Sequence, residues 1–401
     1  LNDVVRGFGL KSVTAAIEFG TSKIMCVIGR EKSIGRFEVL GAGEAKYEGI
    51  KNGRWLNPSN VEEAVAKAIA IAERKAKKRV REAYVGVPGG VSKVVCCEGY
   101  TKIPSGRVTE KDIENMIDHA ERSIDDIRYT IVTSTPVYFV LEDGHHYIDV
   151  AGAPARELKG LISFVFASNE FIQLVTDVMG RLGVKLRSFI PEVLAESLFL
   201  VPVEERDFSA VLLDVGYFDT NVTVVYGDAI VYNKTVHAGG MHIANDLSIV
   251  MNMDLNTAEQ IKKRFSFGLE NNGTKLYDYA KLKDGRLEKY NHAMVAEVID
   301  ARVEQLCEMV YEALHQSPLS VARRTRVYLS GGGLAMMKGS RDVLQKYLKR
   351  QVRVSAIEAP QLSTPNYYVA LALLDYVFES DYLGEGKNKK SILGRLSELM
   401  F

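Results

Sequence analysis

Two acidic residues, Glu18 and Asp214, close apolar runs, and each is followed two positions later by a glycine. The first lies in Ala15-Ala16-Ile17-Glu18-Phe19-Gly20-Thr21-Ser22-Lys23 and leads into the apolar run Ile24 to Gly29. The second lies in Val211-Leu212-Leu213-Asp214-Val215-Gly216-Tyr217-Phe218-Asp219-Thr220 and leads into Asn221 to Gly227. A glycine lets a backbone N–H approach a phosphate with no Cβ in the way. A carboxylate at a strand end can hold a divalent cation through water. Two such strand-turn-strand units facing each other make a clamp. A third piece, Val327-Tyr328-Leu329-Ser330-Gly331-Gly332-Gly333, is a strand running into three glycines. Its flat backbone suits packing against an adenosine. Together the three pieces point to a nucleotide held between two related lobes, with a metal ion held through water near Glu18 and Asp214.

Strand and helix patterns alternate along the chain, which favours an α/β architecture. Asn57 caps a helix with Pro58 in its first turn and an apolar stripe of Val61, Ala64, Val65, Ala68, Ile69 and Ala72. That helix ends in Arg74, Lys75, Lys77, Lys78 and Arg79, which reads first as a solvated end complementing the helix dipole. Thr109 and Asp112 open a second helix. A third is predicted from Asn169 to about Leu182, closed by Gly183. Gly239 and Gly240 precede a predicted helix over 242–253, and Asn256 with Glu259 forms a capping-box pattern opening a short helix through Lys262 and Lys263. A long helix is expected over 293–315, and 268–289 reads as loops and short edge strands. His145 and His146 lie in a loop-like stretch with no third metal ligand.

With 401 residues, 47% of them hydrophobic, the chain can build two or more cores. Lys plus Arg and Asp plus Glu are both 51, and this zero net charge argues against nucleic acid as the main partner. Cys26, Cys96, Cys97 and Cys307 lack metal-ligand spacing and read as reduced cytosolic thiols. No secretory signal and no bilayer-length apolar run is present. The chain begins at Leu1 rather than Met.

Near the end, Gly384, Gly386, Lys387, Asn388, Lys389 and Lys390 read as a basic linker. Beyond it, Ile392, Leu393, Leu396, Leu399 and Met400 recur at helical spacing, with Arg395 between them and Phe401 last. Such a helix is too short to span a bilayer, but it can lie in the interface with Lys389 and Lys390 near anionic headgroups. Docking of this helix on its own domain is the other reading. Many copies along a polymer would bind firmly.

These motifs, in this order, resemble the FtsA family of bacterial cell-division proteins, within the actin and sugar-kinase ATPase superfamily. The resemblance covers nearly the whole chain. Ile17 to Lys23 is similar to the family's first phosphate motif, and Ala238 to Asp246 to its glycine-helix motif beside the phosphates. Ala258-Glu259-Gln260-Ile261-Lys262 is similar to the segment whose Glu and Lys approach the nucleoside, and Ser330 to Gly333 to the adenosine motif. The resemblance implies an actin-like two-lobe ATPase fold, with duplicated ribonuclease-H-like subdomains, a small inserted α/β subdomain and a C-terminal amphipathic helix. It implies ATP and Mg2+ as ligands, held by Gly20, Thr21, Ser22, Lys23, Asp214, Gly216, Thr220, Gly239, Gly240, Glu259, Lys262, Gly331, Gly332 and Gly333. It further implies an actin-like polymer of the chain itself. That polymer would tether FtsZ filaments to the cytoplasmic face of the inner membrane at the division septum, with the FtsZ contact within 241–322.

The resemblance divides the chain into nine parts. Residues 1–82 and 163–204 form the core of the first lobe, interrupted by a self-association subdomain at 83–162. Residues 205–240 and 323–358 form the core of the second lobe, with an outer subdomain at 241–322. Residues 359–383 return to the first lobe, 384–390 form the linker and 391–401 the membrane-targeting helix.

The second phosphate turn departs from the family pattern, which is Asp-x-Gly-Gly-Gly-Thr-like. Tyr217, Phe218 and Asp219 stand where glycines let backbone approach phosphate, and Thr220 supplies the hydroxyl one position late. Weak ATP binding, and at most weak ATPase activity, is expected. Glu192 matches a glutamate that related filament ATPases place near the attacking water, or it is a helix-start carboxylate after Pro191. A small-molecule kinase of the same superfamily and a PilM-like pilus-assembly adaptor are the rival readings. The kinase would need an acidic base facing a polar substrate cleft, and the sequence shows none.

Overall fold

The computed structural model describes residues 13–33, 36–268, 276–282, 284–319, 321–355, 357 and 362–386. The first lobe opens with three antiparallel strands, β1 (Val13–Phe19), β2 (Lys23–Ser33) and β3 (Arg36–Lys46). A two-residue hairpin, β4 (Ile50–Lys51) and β5 (Arg54–Trp55), precedes α1 (Val61–Ala76) and β6 (Glu82–Val87). An insert follows: β7 (Ser92–Lys102), α2 (Glu110–Glu121), β8 (Tyr129–Val140), β9 (His146–Tyr147) and β10 (Glu157–Ser168). The chain then returns through α3 (Asn169–Arg181), β11 (Lys185–Pro191), α4 (Glu192–Leu200) and α5 (Val203–Arg206).

The second lobe repeats the pattern with β12 (Ala210–Val215), β13 (Thr220–Tyr226) and β14 (Ala229–Val236). Next come α6 (Gly240–Val250), α7 (Leu255–Arg264), β15 (Tyr277–Lys281), β16 (Leu287–Asn291) and α8 (His292–His315). It closes with β17 (Val327–Ser330), α9 (Ser340–Leu348) and β18 (Val352–Val354), and α10 (Tyr368–Gly386) goes back to the first lobe.

The two main sheets have the same architecture. One is ordered β11-β6-β1-β2-β3 and the other β18-β17-β12-β13-β14, each with three antiparallel strands followed by two parallel ones. Side-chain alternation decides what covers each face. Ile17, Phe19, Ile24, Cys26 and Ile28 share a core with α1 and α3. Ala16, Met25 and Val27 pack on Ala370, Leu374 and Val377 of α10, on the opposite face. In the second lobe Val211, Leu213, Val215, Val222 and Val224 meet the buried stripe of α8, including Val295, Ile299, Val303 and Val310.

Several expected boundaries shift. β6 pairs within the first main sheet and β10 runs to Ser168, so the insert's own sheet spans 92–168 rather than 83–162. Ser163 Oγ donates to the Ile230 carbonyl, resting the insert on β14 of the other lobe. The helix after Gly239 starts at Gly240 and stops at Val250. The next helix is capped by Asp254, whose carboxylate accepts the N–H groups of Asn256 and Thr257 at 3.0 and 3.2 Å. Asn256 therefore lies inside the first turn of α7, because a carboxylate two residues earlier reaches the orphan donors first. Gly384 and Gly386, expected in the linker, belong to α10. The tail residues Lys389, Lys390, Ile392, Leu393, Arg395, Leu396, Leu399, Met400 and Phe401 lie outside the described residues.

Candidate functional site

The two acidic turns meet at the junction of the lobes. Turn 1, Gly20 to Ser22, joins β1 to β2. Turn 2, Gly216 to Asp219, joins β12 to β13 and is closed by the Gly216 N–H donating to the Asp219 carbonyl at 2.9 Å. The Phe218 N–H crosses between them and donates to Thr21 Oγ1 at 3.2 Å. Turn 1 is itself braced, since the Tyr47 hydroxyl donates to the Gly20 carbonyl at 2.8 Å. Lys23 pairs with Glu44 at 2.9 Å, with its ammonium 4.5 Å from the centre of the Tyr367 ring.

The start of α6 completes the junction. A helix N-terminus is ordinarily an anion site, because its first N–H groups lack partners. Here turn 2 fills them. Gly240 N–H donates to the Gly216 carbonyl and Met241 N–H to the Tyr217 carbonyl, both at 2.9 Å. Gly239 N–H donates to His242 Nδ1 at 3.1 Å. The glycines allow this close backbone packing. A Cβ on Gly240 would lie 2.6 Å from Gly333 Cα, and one on Gly333 would lie 2.2 Å from the Gly216 oxygen. Gly331 adopts φ 86°, open to glycine at little cost, and a Cβ there would lie 2.3 Å from the Val215 oxygen. Gly332 is exposed beside Asn366. Lys262, buried in α7, donates to the Gly240 carbonyl and to Glu259 Oε1, both at 2.7 Å. Burial pushes its ammonium below the usual lysine range. Thus Gly216, Gly239, Gly240, Glu259, Lys262 and Gly333 form one contiguous unit.

Four carboxylates gather under the turns. Burial pushes Glu18 up to about 7, against the opposing pull of Lys23 and with the further push of Asp214. Burial likewise pushes Asp214 up to about 6, although Asn221 donates to it at 3.4 Å. Glu192 and Glu196 are held well above the usual carboxylate range, first by burial and then by the other acids of the group. Glu192 Oε1 accepts the Phe19 N–H at 3.0 Å, and Glu196 Oε1 accepts the Ser330 hydroxyl at 2.5 Å. Those two bonds tie α4 to the end of β1 and, across the junction, to the end of β17.

The structure brings most of the predicted residues together, moves Thr220 aside and turns the intruding Asp219 away. Thr220 does not offer its hydroxyl to the cleft: it is fully buried, and Oγ1 donates to the Ala238 carbonyl at 2.6 Å. As the first residue of β13, paired with Val215, it points into the sheet's core side. Asp219 turns from the cleft to the His237 imidazole at 3.0 Å, the ring itself being half exposed. Sequence reasoning passed over Glu196, Asn221 and His237, and it gave Ser330 to the adenosine motif without its bond to Glu196. Glu196 carried a signal, since it lies four residues after Glu192 and so on the same face of one helix.

Glu18 Oε2 is buried with no hydrogen-bond partner, an orphan acceptor that suits a cation or its water shell. No group of three or more His, Cys, Asp or Glu side chains is set to ligate a metal directly among the described residues. Glu18 and Asp214 therefore fit a metal held through water rather than one ligated directly.

A family model described as "Cell division protein FtsA" matches residues 211–372. The chain is 22% identical over 369 residues to the cell division protein FtsA of Neisseria meningitidis serogroup B, covering 90% of this chain and 89% of that one. It is 22% identical over 398 residues to the Escherichia coli K12 protein of the same name, covering 95% and 94%. Among solved structures, the PilM-PilN type IV pilus biogenesis complex aligns with a TM-score of 0.64 at 15% identity, covering 92% of this chain and 99% of that one. MreB5 of Spiroplasma citri bound to ADP aligns at 0.55 and 12% identity, covering 94% and 98%. The duplicated sheets, the facing turns and these likenesses agree: the chain has an actin-like two-lobe fold and is similar over most of its length to proteins named cell division protein FtsA.

Proposed function

We propose that this chain is a nucleotide-binding, actin-like cell-division protein. In this reading it polymerises and tethers FtsZ filaments to the cytoplasmic face of the bacterial inner membrane at the division septum. The observation that carries it is the junction of turn 1, turn 2 and the α6 start, in a chain alignable over 90% of its length with proteins named for cell division. ATP with Mg2+ is assigned to this junction. Gly20, Thr21, Ser22 and Lys23 would face its phosphates, Glu18 and Asp214 its hydrated cation, and Glu259, Lys262 and Gly331 to Gly333 its nucleoside. Glu192 and Glu196 lie under the turns, and Glu192 is the candidate to orient an attacking water. Turnover is expected to be weak at most, because turn 2 places its own backbone on the α6 donors.

The FtsZ contact is assigned to a groove of about 650 Å³ between α6 and α8, lined by Asp246, Val250, Met294, Val298 and Arg302. Arg302 Nη2 holds Asp246 Oδ1 at 2.9 Å, which fixes the floor. Val250 and Met294 are exposed at its edge. Glu297, Glu304 and Glu308 also line the groove, so it is partly apolar and acidic, which suits a short peptide segment with apolar and basic side chains.

Co-sedimentation with anionic liposomes and FtsZ filaments tests the reading, comparing the whole chain with one ending at Gly386. The whole chain should carry FtsZ to the liposomes and the shorter one should not. Binding of neither lipid nor FtsZ by the whole chain would discard the tether, leaving a kinase or a pilus adaptor.

A further inference from the structure

The first lobe has a cationic end that the nucleotide and FtsZ assignments leave unused. Residues 74–81 carry Arg74, Lys75, Lys77, Lys78, Arg79 and Arg81 and no carboxylate, in a chain of zero net charge. All six are exposed. Glu73 and Glu82 flank the run, and both are already engaged: Glu73 by Arg79 at 3.2 Å and the Val80 N–H at 2.7 Å, Glu82 by Arg187 at 2.7 Å. A dipole-complementing helix end needs one or two cations, not six.

Topology places this run at the end of the lobe away from the cleft. α1 lies along β3, with Gly43 against Ala68 and Ala72 and Gly41 against Ala76. β3 starts at Arg36, at the hairpin tip with β2, and ends at Lys46, opposite Lys23 of turn 1. α1 therefore starts near the cleft and finishes at the hairpin tip. The parallel strands β6 and β11 begin at the same end, where Arg81 lies beside Lys185, while Arg187 is paired there with Glu82.

α10 runs the same way on the opposite face of the sheet. It begins beside the cleft, where Tyr367 meets Lys23, and Phe378 has reached Phe37, with ring centres 5.7 Å apart. Gly386 lies eight residues further along the helix, about 12 Å at the α-helical rise. The 15 residues that follow, 387–401, carry Lys387, Lys389, Lys390 and Arg395 among apolar residues. The chain therefore continues into its basic-apolar tail from the same end of the lobe as the six exposed cations.

We propose that this end of the first lobe is a lipid-facing surface. In it the 74–81 run docks on anionic headgroups beside the tail and sets the lobe's orientation on the membrane. This rests on the tether reading above. Clustered lysines and arginines next to an interfacial anchor gain from the negative surface potential of an anionic leaflet, and a second contact turns one weak anchor into a bivalent one.

The test is flotation of the full chain with vesicles of phosphatidylcholine alone and of phosphatidylcholine with phosphatidylglycerol. Three proteins are compared: unaltered, Arg74→Glu/Lys75→Glu/Lys78→Glu, and the charge-matched control Lys281→Glu/Arg286→Glu/Lys289→Glu on the β15–β16 hairpin. Circular dichroism melts check that each is folded. The 74–78 variant should lose about tenfold or more in affinity for the anionic vesicles and show a shallower salt dependence. The control should bind like the unaltered chain. Equal losses in both variants, or none in either, would overturn the lipid-facing surface while leaving the tether intact. Failure of the unaltered chain to bind either vesicle would overturn the tether, and this inference with it.

Discussion

Phe218 donates its backbone N–H to Thr21 Oγ1 at 3.2 Å, joining two turns 197 positions apart. The bond uses, within the protein, a donor of the second turn that faces the first. With the Gly216 and Tyr217 carbonyls on the α6 donors, it makes turn 2 an internal occupant of groups that would otherwise suit a phosphate.

The first prediction follows from that occupancy. Tyr217→Gly/Phe218→Gly frees the turn to rearrange, and affinity for a fluorescent ATP analogue should rise about tenfold or more, about 1.4 kcal/mol. Thr21→Val should cost about 1 kcal/mol of stability by leaving the Phe218 N–H without its acceptor. An unchanged nucleotide affinity in the double variant would show that turn 2 does not limit binding.

A second prediction concerns pH. Glu18 is raised from 4.5 to about 7 and Asp214 from 3.8 to about 6, both chiefly by burial. The folded state thus holds protons that the unfolded state releases between about pH 4 and pH 7. Stability should fall as pH rises through that window and level off above it. Asp375, raised to about 7, contributes with the same sign. Urea midpoints at about pH 5 and pH 8 measure the slope, and Glu18→Gln should flatten it. A slope unchanged in Glu18→Gln would assign the effect elsewhere.

Ser330→Ala provides a third. It removes the hydroxyl that Glu196 accepts at 2.5 Å and strands a buried carboxylate. The expected loss is about 1–3 kcal/mol, with faster amide exchange at the ends of β17 and α4. Ser330→Thr should recover part of it, and equal stability of all three proteins would show the bond to be idle.

Gly333→Ala tests the backbone packing. Its Cβ would sit 2.2 Å from the Gly216 oxygen, which cannot retreat without disturbing the bond it accepts from the Gly240 N–H at 2.9 Å. A loss of about 1–3 kcal/mol is expected in thermal melts. Gly332→Ala, at an exposed glycine, should cost less, and the reverse order would contradict the packing described here.

Met294→Asp and Val250→Asp address the α6–α8 groove. Both side chains are exposed, so melts should change little. Binding of FtsZ should weaken about tenfold or more if those positions line the contact. Full binding by both variants would move the partner site off this groove.

Local patterns were enough to read the strand-turn-strand units, the Thr109 cap, the α8 stripe and the duplicated two-lobe plan. Those features depend on neighbours within a few residues, where glycine, caps and periodicity act directly. The tertiary structure decided what the junction does with its donors and acids. It turned Thr220 inward to Ala238, gave Asp219 to His237 and placed Glu196 on Ser330. It also closed the α6 start with turn 2 and set the 74–81 run and the α10 exit at one end of a sheet. Each of these pairs residues far apart in the chain or on opposite faces. Their partners are selected by packing of whole sheets and helices, which no short window of sequence encodes.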